Sequence, residues 1–466
     1  MKIAKGARIW LTRSLRPFEF KKEYDNQLNY AHAKNLGLYV HIPFCRSICS
    51  FCPYCKVLYD EKLAQRYIKA LLKEIELVGE SYSRKNFSSN SFLSENSVDK
   101  SSLSENAIGK SSLSKNSIGE NSLSGDSHSK SLFSKKEVTS LYFGGGSPAL
   151  MADYLGEIIS KLKEYFSITE GIGLELHPKD VTVETLTKVK AAGVTKISIG
   201  IQSFQKESLQ ALGRKEEDYK AIFAALQKVP FETVSMDLIF AIPGQTSASL
   251  KKDIDYAFGN GANHIAIYPF VDFSFANNSV PLMAEKEKRR LLDDITDYCE
   301  KSGYLRTSIW TYAKKSTQKY SSMTRDNFLG FGCSATTLLG DQFKVNTFSI
   351  EEYIKRIEDK QLPTSLTLRF SLRQRMVYYL FWTAYTTKVD PRAFKDFFGV
   401  SLQKMYGLEL FLCQLLGFAK KEEGIYKMTK KGAYYFYYFE QFYTLAYIDK
   451  MWGIMREEAF PERITL

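Results

Sequence analysis

The sequence predicts an α/β protein: a partial, TIM-like (β/α)6 barrel of parallel strands, followed by a mostly helical C-terminal domain with winged-helix-like character. Three observations predict it. Short, nearly continuous apolar runs alternate with stretches of helical periodicity, the pattern of a parallel sheet covered by helices. Glycine-rich and polar residues gather at the C-terminal ends of those runs, where barrels of this kind place reacting groups. The composition, 466 residues with 44% hydrophobic and 25% charged, suits a folded chain with one large and one smaller domain.

Residues 1–35 are mixed and polar and read as an arm packed on the barrel, which is expected to span 36–346. Leu36 to Ile42 (LGLYVHI) is the first buried strand. Directly after it, Cys45, Cys49 and Cys52 stand in a C-x3-C-x2-C run, with Cys55 one further x2 step along. Three thiolates so close can converge on one metal centre. Zinc sites normally use two separated pairs, whereas iron–sulfur clusters are held by close runs. From the triplet alone a zinc knuckle or simply buried thiols also stand. Asp60 to about Glu80 is helical, with Leu63, Tyr67, Ile68, Leu71, Leu72 and Ile75 on or near one face. Residues 84–135 are then rich in Ser, Asn, Lys and Glu, and carry a ten-residue repeat marked by Leu93, Leu103, Leu113 and Leu123. The repeats are too short for a solenoid unit and too polar to bury a core, so a disordered surface insertion is expected.

Order resumes with a strand, Glu137 to Phe143, running into Gly144-Gly145-Gly146-Ser147-Pro148. Glycines there permit positive φ and close approach of backbone to a ligand. Strands follow at Gly173–His177, Lys196–Ile201, Thr233–Ala241 and His264–Pro269, separated by helices at Val181–Ala192, Glu216–Lys228 and Ser247–Gly259. Glu175, Gln202, Asp237 and Tyr268 fall at or near strand ends. Carboxylates are rarely buried without a partner, and a ribose diol offers two donors that suit one. Taken singly, each polar residue reads better as a strand-end hydrogen bond or a helix cap. Beyond Phe270 the pattern fades. Lys286–Lys301 reads as a helix, Tyr304–Tyr312 as an extra strand, and Phe328–Leu339 as a glycine-rich segment closing the barrel, with Cys333 packed inside it. Residues 347–466 form the C-terminal domain, helical and aromatic. Ile425–Gly432 reads as a wing, and Tyr434–Phe439 as cover for a substrate mouth or the core. Such a topology does not by itself establish DNA binding.

Seven cysteines, four of them in one loop, are no disulfide framework; reduced thiols imply a reducing, cytoplasmic compartment. The net charge of +12 either favours an anionic partner or reflects lysines scattered over solvated faces. No basic-aromatic motif points to nucleic acid. The first twenty residues lack an apolar core for a signal peptide, and no run of eighteen apolar residues offers a membrane span.

Together, YVHIPFC with the Cys run, GGG-Ser-Pro after the second strand, the string from Glu175 to Arg214, and MDLIFAIPGQT resemble the radical S-adenosylmethionine (SAM) superfamily. Within it they resemble the oxygen-independent coproporphyrinogen III oxidase-like family, from about Leu36 to Asn346 and again in the C-terminal region. The resemblance implies that Cys45, Cys49 and Cys52 bind a [4Fe–4S] cluster whose fourth iron holds SAM, which is split to a 5′-deoxyadenosyl radical. It assigns Tyr39, Gly145, Glu175 and His41 to the cluster-bound SAM. Phe51, Gly146, Ser147, Gln202, Arg214 and Asp237 match positions that contact a second SAM in the oxidase. The implied activity is oxidative decarboxylation of tetrapyrrole propionates. Radical methyl transfer, or haem carriage without turnover, are the alternatives. The expected partners are a tetrapyrrole and an electron donor such as flavodoxin or ferredoxin, with no nucleic acid and no membrane span; a monomer is expected. Three features depart from the oxidase pattern. Cys55 stands at x2 rather than x1, the Gln-Gly-Tyr-Thr-Thr run before the glycine-rich segment is absent, and Val271 replaces an alanine.

Overall fold

The computed structural model describes residues 2–24, 28–95, 135–275, 282–317, 320 and 326–466. Six strands lie side by side in chain order, all parallel: β1 (Leu36–Ile42), β2 (Leu141–Gly145), β3 (Ile172–Leu176), β4 (Lys196–Gln202), β5 (Thr233–Phe240) and β6 (His264–Pro269). Their apolar runs are continuous because both faces are covered: Val40, Ile42, Ile197, Ile199, Met236 and Ile265 are all fully buried.

The covering helices are α1 (Glu61–Glu95), α2 (Ala152–Tyr165), α3 (Val183–Ala191), α4 (Tyr219–Lys228) and α5 (Ser247–Gly259). Local chemistry starts them. Thr182 and Asp218 accept hydrogen bonds from the first-turn amides of α3 and α4, and Thr246 with Ser249 makes a capping box for α5. Sequence periodicity did not single out α2, yet Leu155, Ile158, Ile159 and Leu162 form its buried stripe.

Several elements differ from expectation. Helix α1 does not stop near Glu80 but continues to Glu95, through the start of the Ser/Asn-rich stretch. Residues 96–134, which hold most of the repeats, lie outside the described residues. The strand expected at 137–143 divides. Lys136–Val138 pairs with Phe166–Ile168, and β2 begins anew at Leu141. The single strand expected at 304–312 is a hairpin, Leu305–Arg306 with Thr311–Ala313, whose second arm lies antiparallel to β6.

The sheet also extends past the other edge. β7 (Asn327–Phe331) lies parallel to β1, and β8 (Thr336–Leu339), β9 (Gln342–Asn346) and β10 (Thr364–Arg369) continue antiparallel from it. Glu19–Lys21 and Arg463–Thr465 complete a sheet of 14 strands. The N-terminal residues thus hold a helix, Lys2–Thr12, and a strand inserted between β10 and the edge strand Arg463–Thr465.

The C-terminal region combines helices Leu372–Tyr385, Pro391–Phe398, Leu402–Leu415 and Lys430–Tyr443 with a three-stranded antiparallel sheet, a winged-helix-like layout. Met376, Tyr379, Phe394, Leu402, Tyr406 and Tyr426 give it a small core of its own. In the aromatic run, Tyr437 packs on Phe240 and Trp310, and Phe436 stacks on Phe381, so these two rings serve packing. No helix among the described residues is long and apolar enough to cross a membrane.

Candidate active site

The Cys loop leaves the C-terminal end of β1 and is pinched at its neck. Phe44–Cys45 pairs with Val57–Leu58, and the Val57 and Tyr59 amides donate to the Pro43 and Cys45 carbonyls at 2.8 and 2.9 Å. Between these ties the chain has little regular structure, and Cys45, Cys49 and Cys52 are all partly exposed. The three thiols feel one another's charge. Burial, followed by the charges of Cys52 and Cys49, pushes the Cys45 thiol up to about 12. Burial also raises Cys52, against the pull of Lys56.

The glycine turn after β2 lies along this loop. The Gly146 amide donates to the Ile42 carbonyl and the Ser147 amide to the Phe44 carbonyl, each at 2.8 Å. A methyl group at Gly146 would collide with the Phe44 carbonyl oxygen and stand 2.9 Å from Cys45 Sγ. Gly145 has a φ of 122°, and a methyl there would meet His41 Cε1 at 2.7 Å. Glycine is therefore required at both positions by what packs over them.

From β3, Glu175 accepts a hydrogen bond from the Gly145 amide at 3.1 Å. Its carboxyl is pushed up to about 7, first by burial and then by the charge of Asp237. Asp237, from β5, is itself pushed up to about 6 by burial, although Ser198 donates to it at 2.8 Å. The two carboxyls thus share one electrostatic environment. Gln202 ends β4 with a φ of 71°, and flanks Gly200 together with Arg214. Arg214 donates to the Gly200 carbonyl at 3.3 Å and lies 5.7 Å from the Phe51 ring centroid. Its Nε is buried with no partner among the described residues. Tyr54 and Tyr268 keep 47% and 40% of their surface exposed, so the mouth above these groups is open.

Two expected residues are occupied elsewhere. The buried Ser147 hydroxyl donates to Asp180 Oδ2 at 2.5 Å, and Arg46 donates to the other oxygen at 2.7 Å. His41 is buried with both ring nitrogens engaged, Nδ1 by the Tyr39 hydroxyl at 3.1 Å and Nε2 by the Cys55 carbonyl at 2.9 Å. Sequence reasoning missed Asp180 and Arg46. The available signal was the Pro178-Lys179-Asp180 turn directly after β3.

Residues 129–257 match the family model described as the radical SAM superfamily. The match begins after the Cys loop, beyond most of the repeat stretch. The chain is 23% identical over 411 residues to the heme chaperone HemW of Bacillus subtilis, covering 84% of this chain and 95% of that protein. It is also 23% identical over 353 residues to the oxygen-independent coproporphyrinogen III oxidase of Escherichia coli, covering 70% of this chain and 66% of that enzyme. The solved structure of coproporphyrinogen III oxidase (HemN) from Escherichia coli, described as a radical SAM enzyme, superimposes with a TM-score of 0.67 at 17% identity, over 95% of this chain and 98% of that one.

The residues present fit the family's cofactors, a [4Fe–4S] cluster and SAM. Three thiols on one short loop are a soft donor set of the kind iron–sulfur clusters use. Gly146 leaves open the space beside Cys45 Sγ, and the unpartnered Arg214 Nε is a buried donor without an acceptor.

Proposed function

We propose, on the premise that this chain belongs to the radical SAM superfamily and its oxygen-independent coproporphyrinogen III oxidase-like family, that it oxidatively decarboxylates propionate side chains of a tetrapyrrole. Cys45, Cys49 and Cys52 would hold the cluster. Tyr39, Gly145 and Glu175 would receive SAM, with His41 beside them. When bound, cluster and SAM supply one-electron cleavage to a 5′-deoxyadenosyl radical, drawing the electron from an external donor such as a flavodoxin or ferredoxin.

The chain's own residues bind, orient and exclude water. Glu175, once ionised, accepts from a ribose diol while the Gly145 amide fixes its other face. Gln202 and Arg214 beside Gly200, Phe51 under the Arg214 guanidinium, and Asp237 beside Ser198 would form a second wall, matching the place of a second SAM. Gly146 and Ser147 would contribute backbone there, because the Ser147 hydroxyl is committed to Asp180. Tyr54 and Tyr268, at the open mouth, offer flat apolar surface to a conjugated ring.

The observation that carries this reading is the meeting of the Cys45 sulfur, the glycine turn and Glu175 at the C-terminal ends of adjacent parallel strands. The test is anaerobic reconstitution with SAM, a reductant and coproporphyrinogen III, followed by mass spectrometry. Loss of carboxyl groups with formation of 5′-deoxyadenosine is expected. SAM cleavage with the tetrapyrrole intact would overturn the substrate assignment. A second reading, haem carriage without turnover, is favoured by the alignment to a heme chaperone over 95% of that protein's length. Stable, stoichiometric haem binding with the haem chemically unchanged would select it.

A further inference from the structure

Beneath the Cys loop lies a second group of metal-ligating side chains, of which the chemistry above uses only His41, and that only as a neighbour of SAM. His41 of β1, Cys55 at the end of the loop and Cys333 in the turn between β7 and β8 are all buried, and one ligand atom of each lies within 4.8 Å of the others. They come from three separate parts of the chain. We infer that His41, Cys55 and Cys333 form a second metal site, distinct from the cluster thiols, which takes a divalent zinc ion.

The chemistry of the set selects the ion. Two thiolates and an imidazole are borderline-soft donors of the kind zinc prefers, and three protein ligands satisfy a tetrahedral ion when one small donor is added. A water would be that donor, and the Cys55 thiol, which now donates to the Phe348 carbonyl at 3.4 Å, would give up that bond with its proton. Tetrahedral zinc–thiolate geometry separates two sulfurs by roughly 3.8 Å, so ligands within 4.8 Å need close in by only about 1 Å. Charge balances as well. Zn2+ replaces the two thiol protons, both of which are released, and the resulting centre is neutral and suited to burial.

The frame around the three residues is built before any ion arrives. The Tyr67 hydroxyl donates to the His41 carbonyl at 2.8 Å and accepts from the Cys333 amide at 3.0 Å, so one side chain of α1 ties two ligand-bearing segments. Glu74, two turns further along α1, accepts from the Gly332 amide and the Tyr353 hydroxyl, each at 2.7 Å. The ring nitrogen of His41 that faces the two sulfurs can coordinate by giving up its hydrogen bond, and the bond at the other nitrogen then orients the ring, as outer partners of metal-bound histidines do. A bound ion would staple the end of the Cys loop to the turn that follows β7. The site stands independently of the tetrapyrrole reading.

The test uses the full chain with Cys45, Cys49 and Cys52 all changed to Ala, so that no cluster competes. Anaerobic addition of Zn2+ and removal of excess should leave about one zinc per chain. X-ray absorption at the zinc edge should show two sulfurs near 2.3 Å and one nitrogen near 2.0 Å, each within roughly 0.1 Å. Co2+ in its place should give thiolate charge-transfer and tetrahedral ligand-field bands. Adding Cys333→Ser, or separately Cys55→Ser, should abolish both signals; two conservative variants, each checked by circular dichroism, guard against misfolding. Zinc below a tenth of an equivalent in the parent variant, a shell with no sulfur, or retention undiminished in both serine variants would overturn the proposal.

Discussion

Only Pro53 and Tyr54 separate Cys52 from Cys55, yet the two sulfurs belong to different worlds. Cys45, Cys49 and Cys52 ride a loop tied at its neck and otherwise sparingly bonded, partly open to solvent at the barrel mouth. Cys55 lies by Cys333 and His41, where Tyr67 and Glu74 hold the backbone by buried hydrogen bonds and Tyr353 donates to Glu74. The first group has ligands but little frame, so a bound cluster must order it. The second has a frame fixed by the fold, so an ion need only drop in. Pre-organisation of this kind lowers the ordering cost of binding.

The largest effect should come from breaking the first group alone. Cys45→Ala should remove the cluster iron and abolish SAM cleavage. Cys333→Ser should leave cluster iron and sulfide per chain unchanged. Iron and sulfide analysis with absorption near 400 nm reads both, and equal iron loss in the two variants would merge the two groups into one.

Next in size is the carboxyl at the mouth. Glu175→Gln should weaken SAM binding by about ten- to a hundredfold, the loss of hydrogen bonds to a charged acceptor worth about 1.5–3 kcal/mol. The pH dependence follows from Glu175 lying near 7 and Asp237 near 6. Only the ionised carboxylate accepts both ribose donors, so SAM affinity should rise as pH climbs through about 7 and flatten in the Gln variant. Without ligand the sign reverses. A carboxyl raised in the folded state holds a proton that the unfolded chain has released, so stability falls as pH rises from about 4 to 7 and stays lowered above that. Titration calorimetry across pH checks the first statement, and urea midpoints across pH the second. An affinity that ignores pH would remove Glu175 from the ribose.

How much of this contrast could be read beforehand differs by group. The cluster thiols and the glycine turn are local patterns, written in consecutive residues, and β1 and β6 fall where continuous apolar runs mark strands buried on both faces. The strand Glu19–Lys21 lies between β10 and Arg463–Thr465, partners hundreds of residues away, so its short stretch carries no periodicity of its own. Helix α2 was missed because its start follows a 3-10 turn, Pro148–Met151, with no capping side chain to announce it. Cys333 reads as a small packed residue, and it is fully buried, but its nearness to Cys55 arises only when β7 docks beside β1. Ser147 matched a ligand position by sequence, yet Asp180, a neighbour only in space, had already claimed its hydroxyl.

A smaller effect separates the frames themselves. Gly146→Ala drives a methyl into the Phe44 carbonyl and toward Cys45 Sγ, an overpacking that should cost about 1–3 kcal/mol and lower cluster occupancy. Gly156, exposed on α2 with nothing within 4 Å of an added methyl, is the control. There Ala should stabilise by about 0.5–1 kcal/mol through helix propensity. Urea unfolding of the pair measures both, and equal midpoints would show that the glycine turn carries no steric demand.

The smallest change strikes the buried frame. Tyr67→Phe keeps the ring that packs on Phe44 and Tyr353 but deletes the hydroxyl between the His41 carbonyl and the Cys333 amide. That leaves a buried N–H without its acceptor, at a cost of about 1–3 kcal/mol. If the frame positions the second group and not the first, zinc affinity in the cluster-free chain should fall while cluster iron in the otherwise native chain stays constant. A variant that sheds iron as readily as zinc would mean that the loop thiols lean on the same frame, and the contrast between a ligand-ordered and a fold-ordered site would collapse into a single cooperative unit.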